Sequence, residues 1–368
     1  MAPFKPQKIF IHPEVVNNLR VKNILSKLPD IPRVITPQPV IEYPTEGQRV
    51  EISKRIWFLT ASPGELVKVC PATPLQLCCR YRVINVITNC PIDCSYCILQ
   101  GYINKPYITI HVNLKDIKAQ IQNFLSLDFN HIFRFGTGEL SDSLALEEFT
   151  GFSLELSKFF LNCKNGFFEI KTKCHEVDNL LAVDPQEQIA VSWSVNPEEI
   201  IQLEEKGASS LALRLAAAKK CQEKGYLIGF HFDPIILFPN WEEKYREVVR
   251  QIFTTLNPER VIWMSLGGFR YPRFLKPVIK ERFPESRILF GELFPGPDGK
   301  FRYLKTLRIA MYQKIVGWIK EYNPRQFIYL CMESPEVWEK VFGFAPKSRQ
   351  ELDFFFAQRI REYWTKRN

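Results

Sequence analysis

Three cysteines on one short stretch carry the strongest chemical signal in the sequence. Cys90, Cys94 and Cys97 lie in NCPIDCSYCILQGYI and follow the spacing C-x3-C-x2-C. Three thiolates on one loop suit an iron–sulfur cluster, which prefers soft sulfur ligands. Because a cubane cluster contains four irons, three protein ligands leave one iron free to bind the amine and carboxylate of a small molecule.

A zinc site and a set of ordinary buried thiols are the alternatives to a cluster. Structural zinc usually takes four protein ligands in paired spacings, and Cys78 and Cys79 are adjacent and therefore awkward as a second pair. The chain has 10 cysteines, and six of them fall between Cys70 and Cys97. This clustering favours metal or redox chemistry over inert packing.

The elements that must position these thiols form an alternating pattern from Tyr81 onward. Short β-branched runs predict strands, and the amphipathic runs between them predict helices. The predicted strands are Arg82–Ile87, His131–Phe135, Phe167–Ile170, Gln188–Ser194, Leu227–Phe232 and Val261–Leu266. The predicted helices are Leu114–Phe124, Ser143–Phe160, Ala208–Lys224 and Trp241–Phe253, with Ser141 and Asp142 as candidate caps of the second.

Alternating strands and helices imply an α/β fold with a parallel sheet and right-handed crossovers. Six such units predict a partial (β/α)6 barrel, open where a barrel of eight units would close. In barrels of this kind the chemistry takes place at the C-terminal ends of the strands. The residues that follow those ends, in chain order, are Cys90, Cys94 and Cys97, then Glu139, then Lys173, Cys174 and His175, then Ser194 and Asn196, and last His231 and Asp233.

Length and composition predict one large domain with extensions. The chain has 368 residues, 46% of them hydrophobic, which is enough for a sizeable core. We expect an N-terminal extension that wraps the core (1–78), the partial barrel (79–285) and a C-terminal hairpin and helical region (286–368). The first residues lack the apolar core of a signal peptide, and no stretch approaches the ~18 apolar residues of a membrane helix. We therefore expect a cytoplasmic monomer with no membrane partner.

A second pattern interleaves basic and aromatic residues in GGFRYPRFLK and GKFRYLKTLR, in a chain of net charge +9. Such residues can bind phosphates and stack on bases, although an ordinary charged surface is the alternative. The stretch FPGPDGK predicts a turn before a strand or hairpin. The candidate nucleic-acid residues are Arg270, Tyr271, Arg273, Lys276, Lys300, Arg302, Tyr303 and Lys305.

Several ordered blocks resemble the spore photoproduct lyases, a branch of the radical S-adenosylmethionine (AdoMet) superfamily. They are CSYCILQGYINKPYITIHVNLKDI, FRFGTGELSDSLALE, TKCHEVDNLL, VSWSVNPEEI, GYLIGFHFDPI and NWEEKY. The superfamily commonly has an aromatic residue before the last cluster cysteine, and Tyr96 stands there. The resemblance runs from about Cys90 to Tyr245, with a weaker continuation to about Lys314.

The resemblance implies a radical enzyme of the lyase type. A [4Fe-4S] cluster on Cys90, Cys94 and Cys97 would reductively cleave AdoMet to a 5′-deoxyadenosyl radical, which takes a hydrogen atom from a thymine photolesion in DNA. A flavodoxin or ferredoxin would supply the electron. The residues expected to bind AdoMet are Tyr96, Glu139, Lys173, Ser194 and Asn196, and a lysine is a suitable partner for its carboxylate.

The sequence departs from the family at the step that returns the hydrogen atom. The lyases carry a cysteine after the second strand and a tyrosine directly after the last cluster cysteine, where this chain has Glu139 and Ile98. A carboxylic acid cannot replace the thiol, because its O–H bond is too strong. We interpret Glu139 as catalytic, along with Tyr96, and a helix N-terminal carboxylate is the alternative. Cys174 is a candidate donor, or a buried inert thiol.

Other roles stay open in the sequence. Cys70, Cys78 and Cys79 remain candidates as donors or as ligands of a second metal. His231 and Asp233 either position substrate or a proton, or form a structural pair, and Arg214 either reaches the pocket or is solvated on its helix. Three functions follow: repair of a pyrimidine photolesion in DNA, radical chemistry on another nucleobase, nucleotide or peptide, and a non-enzymatic iron–sulfur protein that binds nucleic acid.

Overall fold

The computed structural model describes residues 4–71, 73 and 75–365. The strands, in chain order, are β1 (Lys8–Ile11), β2 (Arg33–Ile35), β3 (Ile56–Thr60), β4 (Val67–Val69), β5 (Arg82–Ile84), β6 (Ile87–Thr88), β7 (Asp93–Cys94), β8 (Ile108–His111), β9 (Phe133–Gly136), β10 (Gly166–Thr172), β11 (Ile189–Ser194), β12 (Glu205–Lys206), β13 (Leu227–Ile235), β14 (Val261–Gly268), β15 (Arg270–Pro272), β16 (Leu293–Pro295), β17 (Lys300–Tyr303) and β18 (Ile328–Leu330).

The helices flank these strands and follow the same alternation. They are α1 (Leu19–Ser26), α2 (Glu46–Ser53), α3 (Leu99–Tyr102), α4 (Leu114–Leu125), α5 (Glu147–Thr150), α6 (Phe152–Phe160), α7 (Asp178–Leu181), α8 (Glu198–Glu204), α9 (Leu211–Glu223), α10 (Trp241–Thr255), α11 (Leu275–Arg282), α12 (Lys305–Tyr322), α13 (Pro335–Phe342) and α14 (Arg349–Trp364). Within the described residues, each helix is too short or too polar to cross a bilayer.

The main sheet has eight strands in the order β18-β14-β13-β11-β10-β9-β5-β4. Its strands are parallel except β4, which runs antiparallel to β5 at one edge. Six of the parallel strands are the predicted ones, so the α/β partial barrel is confirmed. The seventh, β18, was missed because three residues are too few to give a pattern. Strand β14 is buried along its whole length, as expected for a parallel strand covered on both faces.

The helix predicted over Ser143–Phe160 is divided in two. Gly151 has φ +63° and separates α5 from α6, because a left-handed residue cannot continue an α-helix. The predicted caps are wrong, because α5 begins at Glu147 and its N-cap residue, Leu146, makes no side-chain capping bond. Asp142 Oδ1 instead accepts hydrogen bonds from the N–H groups of Leu144 (2.9 Å) and Ala145 (3.0 Å) in the preceding turn. This carboxylate fixes the turn that follows β9.

The N-terminal residues build much of a second sheet, in the order β2-β1-β3-β8-β6. Strand β8 lies between the cluster loop and α4 in the chain, so the extension shares a sheet with the barrel region. Sequence patterns missed these strands because they are short and interrupted by proline and charged residues. The domain boundaries predicted above stay predictions.

Two further features frame the site. The predicted hairpin is confirmed: β16 and β17 pair antiparallel, and β15 joins them in a three-stranded sheet. At the open side of the half-barrel, the N–H of Leu77 donates to the carbonyl of Glu333 at 2.9 Å. The segment that precedes β5 therefore lies against the segment that follows β18. We call this contact, formed by residues 75–81 and 331–333, the seam.

Candidate active site

A cavity of about 290 Å³ opens at the C-terminal ends of the parallel strands. The edge of the sheet where sequence reasoning expected chemistry is therefore the edge that carries the cavity. Its lining includes most of the candidate residues, namely Cys90, Cys94, Tyr96, Cys97, Glu139, Lys173, Ser194, Asp233, Arg270 and Lys300. Asn196 and Cys174 are buried, at 1% exposure each, and are not among the lining residues.

Local hydrogen bonds shape the cysteine loop. Asn89 adopts φ +76°, and its Oδ1 accepts from the N–H of Cys90 at 2.9 Å. The N–H of Cys97 donates to the carbonyl of Cys94 at 3.1 Å, and Cys90 Sγ accepts from the N–H of Asp142 at 3.3 Å. The loop therefore turns so that its three thiols line one cavity.

The backbone of this loop is held from outside the loop as well. Lys54 Nζ donates to the carbonyls of Cys90 (2.7 Å) and Ile92 (3.1 Å), and its side chain is 9% exposed. Gln100 Nε2 donates to the carbonyls of Cys94 (3.2 Å) and Ser95 (2.7 Å). Carbonyls that would otherwise be unpaired in a buried loop are thus bonded.

The electrostatics of the thiols follow from this burial. Burial raises the pKa of Cys90 to about 12 and the pKa of Cys94 well above its usual value. The charge of Cys97 raises the pKa of both thiols further. Cys90 and Cys94 are buried and Cys97 is partly exposed, so the two buried thiolates would need a cationic partner to remain ionised.

The donor set fits an iron–sulfur cluster. Among residues 4–71, 73 and 75–365, no three His, Cys, Asp or Glu side chains are arranged around a single metal ion. A cubane cluster does not require that arrangement, because each thiolate binds a different iron. Three soft thiols on one short loop, all lining one cavity, are the ligands that such a cluster needs.

One carboxylate that sequence reasoning missed organises the wall next to the loop. Glu205 Oε1 accepts from Lys173 Nζ (3.1 Å), from Asn196 Nδ2 (3.0 Å) and from the Tyr96 hydroxyl. Glu205 Oε2 accepts from Arg214 at 2.5 Å, and both side chains are fully buried. Four residues singled out in the sequence therefore meet on one side chain, and Arg214 lies inside the wall rather than in solvent.

The ionised state of Glu205 follows from its partners. Burial alone would raise its pKa, but the charges of Arg214 and Lys173 and the hydrogen bond from Tyr96 hold the pKa far below its usual value. The same residue pairs with Cys94 through the β7–β12 ladder. Glu205 therefore links the cysteine loop to the barrel by backbone and side chain together.

The opposite wall carries alternating charges. Glu139 Oε1 lies 3.8 Å from Lys171 Nζ, and the Glu139 side chain is 37% exposed. Arg270 donates to both oxygens of Asp233 at 3.2 Å. Lys300 Nζ contacts the Thr73 hydroxyl at 3.3 Å and has no ion pair with a carboxylate in the described part of the chain. This wall therefore offers an unneutralised cation to the cavity.

His231 and Asp233 have separate partners and do not form a pair. Asp233 faces Arg270, whereas His231 Nε2 lies 3.0 Å from Glu169 Oε1 inside the barrel. Burial opposes the ionisation of Glu169, yet the hydrogen bond and charge of His231 lower the pKa of that carboxyl to about 2. His231 is thus part of a buried polar layer beneath the cavity.

The basic and aromatic candidates divide by burial. Arg302 is 6% exposed and pairs with Asp298 of its own hairpin at 2.5 Å. Tyr303 is 3% exposed, and its hydroxyl accepts from the N–H of Leu237. Lys305 pairs with Glu336 at the surface. The candidates left on the surface are Arg273 and Lys276, beside Phe274, which is 43% exposed, so their assignment to nucleic acid stays a prediction.

Comparisons with known proteins point to one family. The family model described as spore photoproduct lyase matches residues 76–321. The chain is 27% identical over 299 residues to the spore photoproduct lyase of Geobacillus sp. (strain Y412MC61), covering 79% of this chain and 86% of that one. It is 30% identical over 251 residues to that of Bacillus subtilis (strain 168), covering 66% and 73%.

Solved structures extend the likeness to three dimensions. A spore photoproduct lyase double mutant with bound AdoMet and dinucleoside spore photoproduct matches with a TM-score of 0.80 and 26% identity. The match covers 89% of this chain and 99% of that one. A lyase complexed with dinucleoside spore photoproduct matches with a TM-score of 0.79 over the same shares. This chain belongs to the spore photoproduct lyase family.

Proposed function

We propose that this chain is a radical AdoMet enzyme that repairs a pyrimidine photolesion in DNA. The observation that carries the proposal is the gathering of Cys90, Cys94, Cys97, Lys173 and Ser194 around one cavity. The relative with a TM-score of 0.80 holds AdoMet and a dinucleoside lesion in the same fold. The thiols supply the ligands for a cluster, and the same cavity offers polar groups for a small cofactor.

Different residues would hold the cluster and AdoMet. Cys90, Cys94 and Cys97 would bind a [4Fe-4S] cluster, which, when reduced by a flavodoxin or ferredoxin, would supply the electron that cleaves AdoMet. Lys173 lines the cavity with its ammonium 3.1 Å from Glu205 and 5.6 Å from the centre of the Tyr96 ring. This ammonium is a charged donor for the AdoMet carboxylate, and Glu205 fixes its position.

A DNA substrate would approach from the hairpin side. Lys300 lies on β17 and lines the cavity as a half-buried cation. Phe294 on β16 is 45% exposed, and Phe290 before it is 78% exposed. A cation for the phosphodiester and exposed rings for stacking are the groups that hold a base out of its helix.

Anaerobic turnover tests the proposal. The protein, a reductant, AdoMet and DNA containing spore photoproduct are incubated, and nucleosides and 5′-deoxyadenosine are measured by mass spectrometry. We expect lesion loss and thymine formation that require both AdoMet and reductant. Formation of 5′-deoxyadenosine without conversion of any thymine lesion would instead favour the second function, a different nucleobase, nucleotide or peptide substrate. Glu139 and Ile98 at the two hydrogen-return positions are the observation that keeps that function open.

Lys54→Met is expected to weaken cluster retention about 10-fold. The change removes both hydrogen bonds to the carbonyls of Cys90 and Ile92 while keeping the volume of the side chain. It also removes a positive charge near Cys90, so the cluster should be harder to reduce. Iron content during dialysis and the midpoint potential from electron paramagnetic resonance measure the two effects. Lys22→Met, on an exposed position of α1, is the control, and equal iron loss from both variants would contradict the positioning role.

Lys300→Met is expected to weaken binding of lesion-containing DNA and to lower the slope of log affinity against log salt by about 1. The reason is that Lys300 is a cavity cation with no carboxylate ion pair in the described structure. Fluorescence anisotropy over a salt series measures both quantities. Lys305→Met is the matched control, since Lys305 is already neutralised by Glu336. An unchanged slope in Lys300→Met would remove Lys300 from the DNA contact.

A further inference from the structure

Four thiols outside the cysteine loop surround the seam. Cys70 follows β4, Cys78 and Cys79 precede β5, and Cys331 follows β18. The N–H of Cys70 donates to the carbonyl of Tyr81 at 2.6 Å, and the contact between Leu77 and Glu333 joins the two edges. All four thiols are free and partly exposed. The seam thus brings sulfur beside Arg270, a residue of the cavity lining.

Cys331 is not itself among the lining residues of the cavity, but its sulfur contacts Arg270, which is. It follows a parallel strand at its C-terminal end, the edge where the other site residues lie. Arg270 Nη2 approaches Cys331 Sγ to 3.6 Å, and Arg270 lines the cavity while it binds Asp233. The next residue, Met332, also lines the cavity.

The three buried thiols outside the cysteine loop are less suitably placed. Cys163 and Cys221 are buried at 9% and 0% exposure, on the segments after α6 and within α9. Cys174 is 1% exposed, and its backbone N–H donates to the Thr172 hydroxyl. Its thiol is therefore packed behind the wall, and the prediction that Cys174 donates hydrogen gains no support from its burial.

The chemistry of the site needs a weak bond to hydrogen that Glu139 cannot supply. Glu139 is a half-exposed carboxylate beside Lys171, and a carboxylic O–H bond is much stronger than a thiol S–H bond. Burial, and then the charge of Asp233, raise the pKa of the Cys331 thiol well above its usual value. Cys331 therefore keeps its hydrogen at neutral pH, as an atom donor must.

We propose that Cys331 is the hydrogen-atom donor of this enzyme, in place of the cysteine that the family carries where this chain has Glu139. The inference rests on the proposed function. After the bridge of the lesion breaks, the thymine carbon radical takes the hydrogen atom of Cys331. One C–H bond forms, one S–H bond breaks, and a thiyl radical remains on Cys331. One electron from the low-potential protein that reduces the cluster, with one proton from solvent, restores the thiol.

Turnover in D2O tests the assignment, because a thiol exchanges its hydrogen with solvent and a carbon-bound hydrogen does not. Wild type and Cys331→Ser are incubated with AdoMet, reductant and a dinucleotide spore photoproduct. The control is Cys163→Ser, in which a hydroxyl can keep the contact of Cys163 with the Phe159 carbonyl. Iron content and 5′-deoxyadenosine formation establish that each variant is folded and loaded.

We expect wild type and Cys163→Ser to release thymine carrying one solvent deuterium. Cys331→Ser should form 5′-deoxyadenosine at the wild-type rate and should still consume the lesion. Its yield of deuterated, repaired thymine should fall by at least about 100-fold, and unrepaired adducts should accumulate instead. Deuterated repair at the wild-type rate by Cys331→Ser, or repaired thymine without deuterium from wild type, would overturn the assignment. Wild type that forms 5′-deoxyadenosine and leaves the lesion intact would overturn the proposed function, and this inference with it.

Discussion

Cys94→Ala is expected to lose the absorbance of the iron–sulfur cluster and to reduce AdoMet cleavage to background. Cys94 is 6% exposed and pairs with Glu205 across the β7–β12 ladder, so its backbone is held in place on the loop. In the proposed cluster one iron is already left open for AdoMet, so loss of a thiolate would leave a second iron without a protein ligand. Iron and sulfide content after anaerobic reconstitution, and 5′-deoxyadenosine by mass spectrometry, measure the two losses.

Among the described residues, Cys90, Cys94 and Cys97 are the cysteines that line the cavity. The seam thiols lie beside strands at the two edges of the main sheet: Cys70, Cys78 and Cys79 beside β4 and β5, and Cys331 beside β18. Cys163→Ala serves as the matched control, because it removes a thiol from outside the cavity. Retention of four irons and full AdoMet cleavage by Cys94→Ala would refute the ligand assignment.

The sequence predicted those features that depend on short-range patterns. Parallel strands covered on both faces read as continuous apolar runs, and six of them were found within a few residues of their observed ends. Cys90, Cys94 and Cys97 lie within one loop, so their spacing alone was enough to predict them as cluster ligands. The half-barrel and its reactive edge followed from these two signals.

Features made by long-range contacts could not be read in the same way. Glu205 gathers Tyr96, Lys173, Asn196 and Arg214 from four separate segments, and its neighbouring sequence, QLEEKG, carries no sign of it. The seam depends on a contact between Leu77 and residues more than 250 positions later. Only the folded chain brings such residues together.

Burial also distinguishes residues that look equivalent in a sequence pattern. Lys300 and Arg302 both belong to the basic run on β17, yet Lys300 lines the cavity and Arg302 is buried against Asp298. The partner that neutralises Arg302 comes from its own turn, whereas no carboxylate among the described residues forms an ion pair with Lys300. The hairpin could be predicted from the sequence, whereas only the structure distinguishes Lys300, which is free to bind a phosphate, from Arg302, which is not.

Glu205→Ala is expected to lower the free energy of unfolding by about 3–5 kcal/mol, because it leaves a buried arginine without its counter-charge. Arg214 and Glu205 are both fully buried, and Arg214 also donates to the carbonyls of Ser194 and Ser209 at 2.8 Å. These carbonyls cannot replace a carboxylate as partner of a guanidinium. Urea unfolding of the anaerobically purified protein, followed by tyrosine and tryptophan fluorescence, measures the loss.

A second variant separates the charge of Glu205 from its hydrogen bonds. Glu205→Gln keeps an acceptor for Tyr96 and Asn196 but removes the charge that balances Arg214 and Lys173. We expect Glu205→Gln to be less destabilised than Glu205→Ala. We also expect its KM for AdoMet to rise, since Lys173 loses the carboxylate that fixes its position. Glu199→Ala, which removes an exposed carboxylate paired with Lys244, should leave stability nearly unchanged. If Glu205→Ala proved as stable as Glu199→Ala, the buried network would not be what ties the cysteine loop to the barrel.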